Sequence, residues 1–524
     1  MRGIGLALAL CVAGAGLALS GHAAAPAAEA ATRAAPAAKA VSGVWYEIFV
    51  RSWYDTNGDG IGDLNGVTAK LDYLQKLGIS GIWLMPINPS PSYHGYDVSN
   101  YEAVNPQYGT LADFRHLVQE AHARGIRVII DMVANHSSNE NPWFVSALDP
   151  KSPYRDWYIW AGKTTDVDMP NAFGGQAWHR APDGQYYLSI FDPAMPDLNY
   201  DNPAVRAKMI AIGQFWLRQG ADGFRLDAAR HIYVNVPSDV GNPVSIAKNV
   251  AWWEQYRKGL DKVDPHAYLV GEITRDEAAD IAPYLKPLDA AFNFPIAKGL
   301  IAAVKAERNL DLARTLAQTY VTYDKVASDA MQKDAPFLSN HDQERVMSQL
   351  GGDPAHMRVA AALLMTLPGE PYIYYGEELG MRGEKPDPDL RTPMRWERAL
   401  DAKGETTWHA TSPANGGPIS VAAQQADPDS LLNWYRMLIH WRVEIPALRE
   451  GGFAVYPQAN DQLVAWQRSD GADSVLVVHN LSGTAQALPL PADQFHTLLR
   501  HTLPGTAVAA DHLQLPPYGS AILQ

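Results

Sequence analysis

Cysteine is nearly missing: Cys11 is the only one in 524 residues. It lies in an N-terminal apolar stretch, IGLALALCVAGAGLALS, that follows Arg2 and leads to small residues at Ala23 and Ala25. That pattern predicts a signal peptide over residues 1–25 and an Ala/Pro-rich linker over 26–40. Leu10, directly before Cys11, is bulky where a lipid-attachment signal needs a small residue. A chain cut there has no cysteine, which excludes disulfides as its staple. The apolar stretch is also short for a membrane span, so a stable anchor is not expected and the destination is secreted or periplasmic. Positive charge is scarce, with 43 Lys and Arg against 57 Asp and Glu, a net charge of -14, and no basic cluster. That excludes a nucleic-acid partner.

What the chain does have is apolar residues, 47% of the total, enough for a large core. They recur as eight short runs: WYEIFV from Trp45, GIWLMP from Gly81, RVIID, DGFRLD, YLVGE, LDAAFNF from Leu288, PFLSN, and PYIYYGEE from Pro371. Between them lie windows of helical period. One starts at a Thr110 cap, carries Leu111, Phe114, Leu117 and Val118 on one face and closes on Gly125; another closes on Gly220. Eight alternations of strand and helix predict an α/β fold, a (β/α)8 TIM barrel.

Four of the runs end in acid: RVIIDMVANH (Arg127–His136), ADGFRLDAARH (Ala221–His231), AYLVGE (Ala267–Glu272) and APFLSNHD (Ala335–Asp342). An unpaired buried charge is heavily penalised in a core. At the C-terminal rim of a parallel barrel, strand ends point such groups into one cleft. The chain is longer than a bare barrel. Residues 135–202, irregular and rich in Pro, Trp, Tyr and Asp, are expected to form a small domain inserted after the third strand. That leaves the barrel as 41–134 and 203–450. After Gly451 the segments alternate (FAVYP, LVAWQR, SVLVVHN), predicting a C-terminal antiparallel β domain over 451–524.

A metal is the expected staple. Asp55, Asn57, Asp59 and Asp63, with a backbone carbonyl at Ile61, place hard oxygens at alternate positions of a Gly-rich loop, which suits Ca2+. The loop resembles the start of an EF-hand, but Gly66 stands where the bidentate Glu belongs.

In this order, the four acidic motifs resemble the conserved regions of the α-amylase family (glycoside hydrolase family 13), from about Val44 to the C-terminus. The resemblance implies the barrel, an inserted domain B and a C-terminal β-sandwich. It also implies a retaining mechanism with Asp227 as nucleophile, Glu272 as general acid/base and Asp342 as the carboxylate that binds sugar hydroxyls. The chemistry needs those residue types, because one ionised carboxylate must attack while one protonated acid releases the leaving group, roughly 5 Å away. Arg225, two residues before Asp227, points to the same face of the strand and is expected to favour the ionised nucleophile. His136 and His341 resemble the family histidines that contact sugar hydroxyls, and Arg230 and His231 stand in the nucleophile motif as further substrate contacts. In HGYD, His94, Tyr96 and Asp97 follow the second strand, with Tyr96 resembling a stacking platform. Arg391, in RTPMRW, is expected to pair with Asp97; Arg395 departs there from the related RTPMQW segment. A second Ca2+ would use Asn135, Asp197 and His231.

The segment MPDLN (Met195–Asn199) looks like that of the family's intermediary group, between oligo-1,6-glucosidase-like and neopullulanase-like members and made up largely of α-amylases. The expected function is therefore endo cleavage of α-1,4 bonds in starch and maltooligosaccharides by a secreted monomer. The alternatives are an exo-acting α-glucosidase, a maltogenic or transglycosylating enzyme, or, more remotely, a catalytically dead transporter chain. Ala228, directly after the nucleophile, goes with α-1,4 preference in relatives, where Val goes with α-1,6.

Overall fold

Trp45–Ile48 (β1) opens a set of parallel strands that continues with Gly81–Leu84 (β2), Arg127–Met132 (β3), Gly223–Leu226 (β4), Tyr268–Gly271 (β5), Ala290–Phe292 (β6), Asp334–Ala335 (β7) and Tyr372–Tyr374 (β8). The computed structural model describes residues 43–233, 242–327, 329–471, 473–509 and 511–524, so the expected leader and linker lie outside it. The strands pair in the order β8-β1-β2-β3-β4-β5-β6-β7. A parallel bridge from Phe337 to Tyr372 joins the two ends. The barrel predicted from eight apolar runs is present.

Six of the eight strands lie within their predicted runs. β3 extends one residue beyond its run, and the PFLSN run holds only the Phe337 bridge, with β7 lying two residues earlier. Pro336 has no N–H to donate, so the ladder breaks there, and its carbonyl instead accepts from the Tyr372 N–H at 2.9 Å. Large rings fill the barrel: Trp45, Trp83, Tyr268, Phe292, Phe337 and Tyr372 form one buried cluster with Ile129 and Val270.

The helices follow their sequence signals. Leu111–Ala123 (α1) starts at a Thr110–Asp113 capping box and buries Phe114, Leu117, Val118 and Ala121. Pro203–Gln219 (α2) starts at Asn202, with Pro203 in its first turn, and stops at Gly220, which holds φ at 106°. Between β3 and α2 the insert carries a short helix, Pro142–Ala147, and a hairpin of Trp178–Arg180 with Tyr186–Leu188. Bridges from His136 to Asp197 and from Tyr158 to Leu198 bring its end back to its beginning. This fixes the insert at the mouth of β3.

After the barrel, strands Gly452–Val455, Leu463–Ser469, Ser474–Asn480, Ser520–Leu523 and Leu498–His501 form one antiparallel sheet in that order. Gln486–Pro489, His512–Leu515 and Ala507–Val508 form a second, with a shared apolar core that includes Leu476, Val478, Leu488 and Leu513. One fully buried arginine, Arg468, ties this domain to the barrel, and a second, Arg442, braces the same segment from within the barrel. Arg442 donates to the carbonyls of Met365, Leu367 and Gly369, and Arg468 to those of Thr366 and Gly451. Both reach the last turn of helix Pro354–Thr366 or the loop after it, where orphan carbonyls and the helix dipole favour a cation.

Candidate active site

Each of the four acidic motifs delivers its residue to the C-terminal end of the barrel, and one guanidinium gathers three of them. Arg225 lies on β4 with no exposed surface. Its Nη1 donates to Asp131 at 3.0 Å and to Asp227 at 2.7 Å, and its Nη2 reaches Glu272 Oε2 at 2.9 Å. Backbone bonds between neighbouring strand ends set these positions: Asp227 N–H donates to Met132 O and Glu272 N–H to Leu226 O. One guanidinium thus brings the two carboxylates into the same cleft, as double displacement, which needs the pair roughly 5 Å apart, demands.

The two oxygens of Glu272 are not equivalent. Oε2 accepts from Arg225 and from the Ala228 N–H at 3.0 Å, whereas Oε1 has only Thr274 Oγ1, at 3.4 Å. A proton placed on Oε2 would face two donors, so Oε1 is the oxygen free to carry it. Ala228 supplies its N–H from a left-handed conformation, φ 45°, which is uncommon for a residue other than glycine.

Burial pushes the Asp227 carboxyl well up, with Glu272 and Asp131 adding to the push, while Arg225 holds it down. Arg225 acts on Asp227 as expected, favouring its ionised form, and burial in the closed cleft works against it. Asp131 is likewise raised by burial, to about 6, against Arg225.

Asp342 follows β7 in the NHD segment. Arg391 Nη2 pairs with it at 2.8 Å and with Asp387 at 3.2 Å, and Arg391 Nε donates to the His341 carbonyl. Arg391 thus clamps Asp342, and Asp97 is held instead by the hydroxyls of Ser90 and Ser92. The expected Asp97–Arg391 pair is replaced because Asp342 lies within reach of the guanidinium. Burial outweighed by His341 and Arg391 leaves the Asp342 carboxyl below its usual range.

Tyr96 stacks on His341 with ring centres 5.5 Å apart, and its hydroxyl meets Asp131 at 3.1 Å and His341 Nε2 at 2.7 Å. His341 Nδ1 meets Glu47 at 2.6 Å. Desolvation drives both His341 and His136 down, His136 to about 3, so both are neutral at working pH. The His136 nitrogens face the Tyr96 carbonyl and the Asn135 amide, each at 3.1 Å. Both histidines are therefore engaged with protein groups, fixing the walls of the cleft. His94 Nδ1 accepts the Tyr96 N–H. His231 lies beyond the nucleophile turn, its N–H donating to Ala228 O. Arg230 is half-buried there, with Arg275 and Tyr284 around it.

Three members of the site, Asp131, Glu47 and Trp83, went unassigned in the sequence. Trp83 Nε1 donates to Asp131 at 3.2 Å. Asp131 was visible as the acid closing RVIID, and Glu47 as the one charge inside WYEI. What the sequence could not show was that both turn inward to the same histidine–tyrosine pair.

The two expected Ca2+ sites differ in form. In the acidic loop, Asp55 accepts the Asn57, Gly58 and Gly60 N–H groups, Asn57 accepts that of Asp59, and Asp59 that of Ile61. These turns wrap hard oxygens around one loop, which suits a cation in ligand chemistry. Asp63 is occupied as the cap of helix Leu64–Ala69 and by Thr56. Among the described residues no group of three His, Cys, Asp or Glu side chains is placed to hold a metal ion, so amide, carbonyl and water ligands would have to complete a shell. In the second set, Asp197 Oδ2 is buried with no hydrogen-bond partner, and burial raises that carboxyl to about 8. Asn135 lies beside it, donating to the His231 carbonyl at 2.7 Å. A cation fits a buried carboxylate oxygen left unpaired.

Comparison with known proteins agrees with this geometry. The family model "Alpha amylase, catalytic domain" matches residues 47–451, and "Alpha-amylase SusG C-terminal domain" matches 463–522. The chain is 40% identical to Alpha-amylase 3 of Dictyoglomus thermophilum over 443 residues, 84% of each chain. It is 34% identical to a 4-alpha-glucanotransferase of Thermotoga maritima over 84% of this chain and 96% of that one. The crystal structure of the α-amylase from H. orenii superposes with a TM-score of 0.84 at 44% identity, over 92% of this chain and 99% of that one. With a barrel, an Arg-centred carboxylate cluster and a C-terminal β domain all matched, the chain belongs to the α-amylase family of glycoside hydrolases (GH13).

Proposed function

We propose that the protein is a secreted α-amylase that cleaves internal α-1,4 bonds of starch and maltooligosaccharides with retention. Asp227 attacks the anomeric carbon, Glu272 delivers a proton from Oε1 to the leaving oxygen, and water then releases the sugar with Glu272 acting as base. Asp342, clamped by Arg391, holds the sugar hydroxyls, and Tyr96 stacks under the ring. The observation that carries the reading is the shared grip of Arg225 on Asp227 and Glu272. The α-1,4 substrate is supported by the two α-amylase relatives at 40% and 44% identity. Calcium is part of the proposal: Asp55, Asn57, Asp59 and Ile61 would hold one ion, and Asn135, Asp197 and the His231 carbonyl another, each stiffening a loop.

The second reading is glucan transfer, favoured by the glucanotransferase relative at 34% identity. End-blocked maltoheptaose separates the two. Mixed short maltooligosaccharides support endo hydrolysis, longer products support transfer, and an untouched substrate favours exo action. Glu272→Gln should abolish most turnover on starch while still binding maltooligosaccharide, since an amide keeps the shape but cannot protonate. Near-wild-type turnover by that variant would remove Glu272 from its role.

A further inference from the structure

His341 stands between two carboxyls, and while its ring is neutral only one of its nitrogens carries a hydrogen. Nε2 lies 2.7 Å from the Tyr96 hydroxyl and 3.2 Å from Asp342 Oδ2. Nδ1 lies 2.6 Å from Glu47 Oε1. The ring has no other partners to turn to: Tyr96 stacks on it at 5.5 Å, Trp83 meets it edge-on at 5.6 Å, and none of its surface is exposed.

Those neighbours fix where the ring hydrogen sits. Asp342 is ionised, with Oδ1 paired to Arg391 at 2.8 Å, so its Oδ2 accepts and does not donate. Tyr96 has one hydroxyl hydrogen, and Asp131 Oδ2 takes it at 3.1 Å; Asp131 also accepts from Trp83 and Arg225, as a carboxylate does. A bare Nε2 would face a carboxylate and a phenol oxygen with no hydrogen between them. Nε2 therefore holds the hydrogen, and Nδ1 is left as an acceptor. Its partner must then donate, which Glu47 does only when protonated. Burial pushes the Glu47 carboxyl well up, against the pull of Arg225, with Asp342 and Asp131 adding to the push.

We infer that Glu47 is a positioning residue: its carboxyl hydrogen, given to His341 Nδ1, keeps the Nε2 hydrogen aimed at Asp342 and Tyr96. Arg391 and His341 then hold one oxygen of Asp342 each. Loss of the Glu47 proton moves the ring hydrogen to Nδ1, turns a lone pair on Asp342 Oδ2 and loosens the carboxylate that grips the sugar. The charged groups that face Glu47 are Arg225 on β4, Asp131 on β3 and Asp342 after β7, while Arg391 and Lys385, after β8, act on His341. Beside Glu47 in the sheet stand Trp83 on β2 and Tyr374 on β8, whose hydroxyl burial pushes well up. Above neutral pH the two aspartates are ionised and Tyr374 is not, so the proton lost there is that of Glu47. This inference rests on the proposed role of Asp342 in holding sugar hydroxyls.

The test measures maltoheptaose binding by calorimetry between about pH 6 and 9, in the Glu272→Gln background, where the general acid no longer titrates. In that parent the dissociation constant should rise about tenfold toward the alkaline end. Adding Glu47→Gln, whose amide N–H donates to Nδ1 without titrating, should keep the parent's acid-side affinity within about twofold and hold it across the range. Adding Glu47→Leu, which has no donor, should weaken binding about tenfold at every pH. Parallel pH courses in the parent and the Gln variant, a Gln variant as weak as the Leu one, or a Leu variant as tight as the parent overturns the inference. Asp342→Asn in the same background tells this failure from that of the reading beneath it. If it binds as tightly as the parent, the sugar-holding role of Asp342 falls and this inference with it; if it binds weakly while the Glu47 variants fail, only this inference falls.

Discussion

Ala228 is where a single residue carries most consequence. Its left-handed backbone, φ 45°, aims its N–H at Glu272 Oε2, and the next N–H, from Ala229, donates to the Glu272 carbonyl. The small side chain tolerates that conformation; a β-branched one pays about 1–2 kcal/mol more. Ala228→Val is thus expected to do two things. It should lower the melting temperature by a few degrees through backbone strain. It should also narrow the kcat/KM preference for maltotriose over isomaltotriose, by up to about tenfold, because the added methyls would crowd the leaving sugar. Calorimetry and paired kinetics separate the effects. A wild type that cleaves isomaltotriose faster would defeat the α-1,4 assignment and this account of Ala228 together.

At the scale of elements, the acidic loop is a fastener between distant parts of the barrel. Asp55 N–H donates to Gly404 O, and Gly60 O accepts from both Thr407 and Trp408. Trp408 in turn stacks on Tyr93, ring centres 5.4 Å apart, near the Arg391 clamp. A cation on the loop would stiffen the segment after β8 as well as the one after β1. Chelation should accordingly lower the melting temperature, since an ion bound only to the folded state stabilises by mass action. Asp59→Ala should reproduce that loss in the presence of calcium. An unchanged melting curve and unchanged bound metal after chelation would reduce the loop to a turn held by its own hydrogen bonds. The sequence showed the alternation of oxygens; the contact with residues 404–408 is some 350 positions away and left no local trace.

Across the whole molecule, burial of carboxyls sets how stability should vary with pH. Asp334, fully buried, is raised by desolvation to about 7, Asp197 to about 8 and Glu377 to about 8. A raised folded-state value means the protonated form is favoured by folding. That contribution is complete below the unfolded carboxyl value, about 4, and is lost as pH climbs through 7 to 8. In metal-free buffer the melting temperature should therefore fall between pH 5 and 8. Each group contributes at most about 1.4 kcal/mol per pH unit. Asp334→Asn should flatten the slope, because the amide keeps an oxygen to accept from Asn293 and an NH2 to donate to the Tyr320 hydroxyl oxygen without titrating. A slope that survives in Asp334→Asn would assign the effect to other groups.

Local chemistry was enough to read the barrel. Apolar runs of strand length, caps such as Thr110 and stops such as Gly220 act over a few residues, so period and punctuation alone specify them. The acids after those runs were legible for the same reason, since a carboxylate at a strand end has few places to go except the rim. Pro336 shows the limit of that reading: it broke a strand whose apolar run looked continuous, because the ladder needs an N–H that apolarity does not report. Partnership was decided only in three dimensions. Arg225 could be placed beside Asp227 from their spacing, but not between Asp131 and Glu272, which come from two other strands. Arg391 was matched with Asp97, yet closure of the barrel set Asp342 within its reach. The push of burial on the Asp227 carboxyl was likewise out of reach, since it comes from everything packed around it and no local sequence window contains that sum.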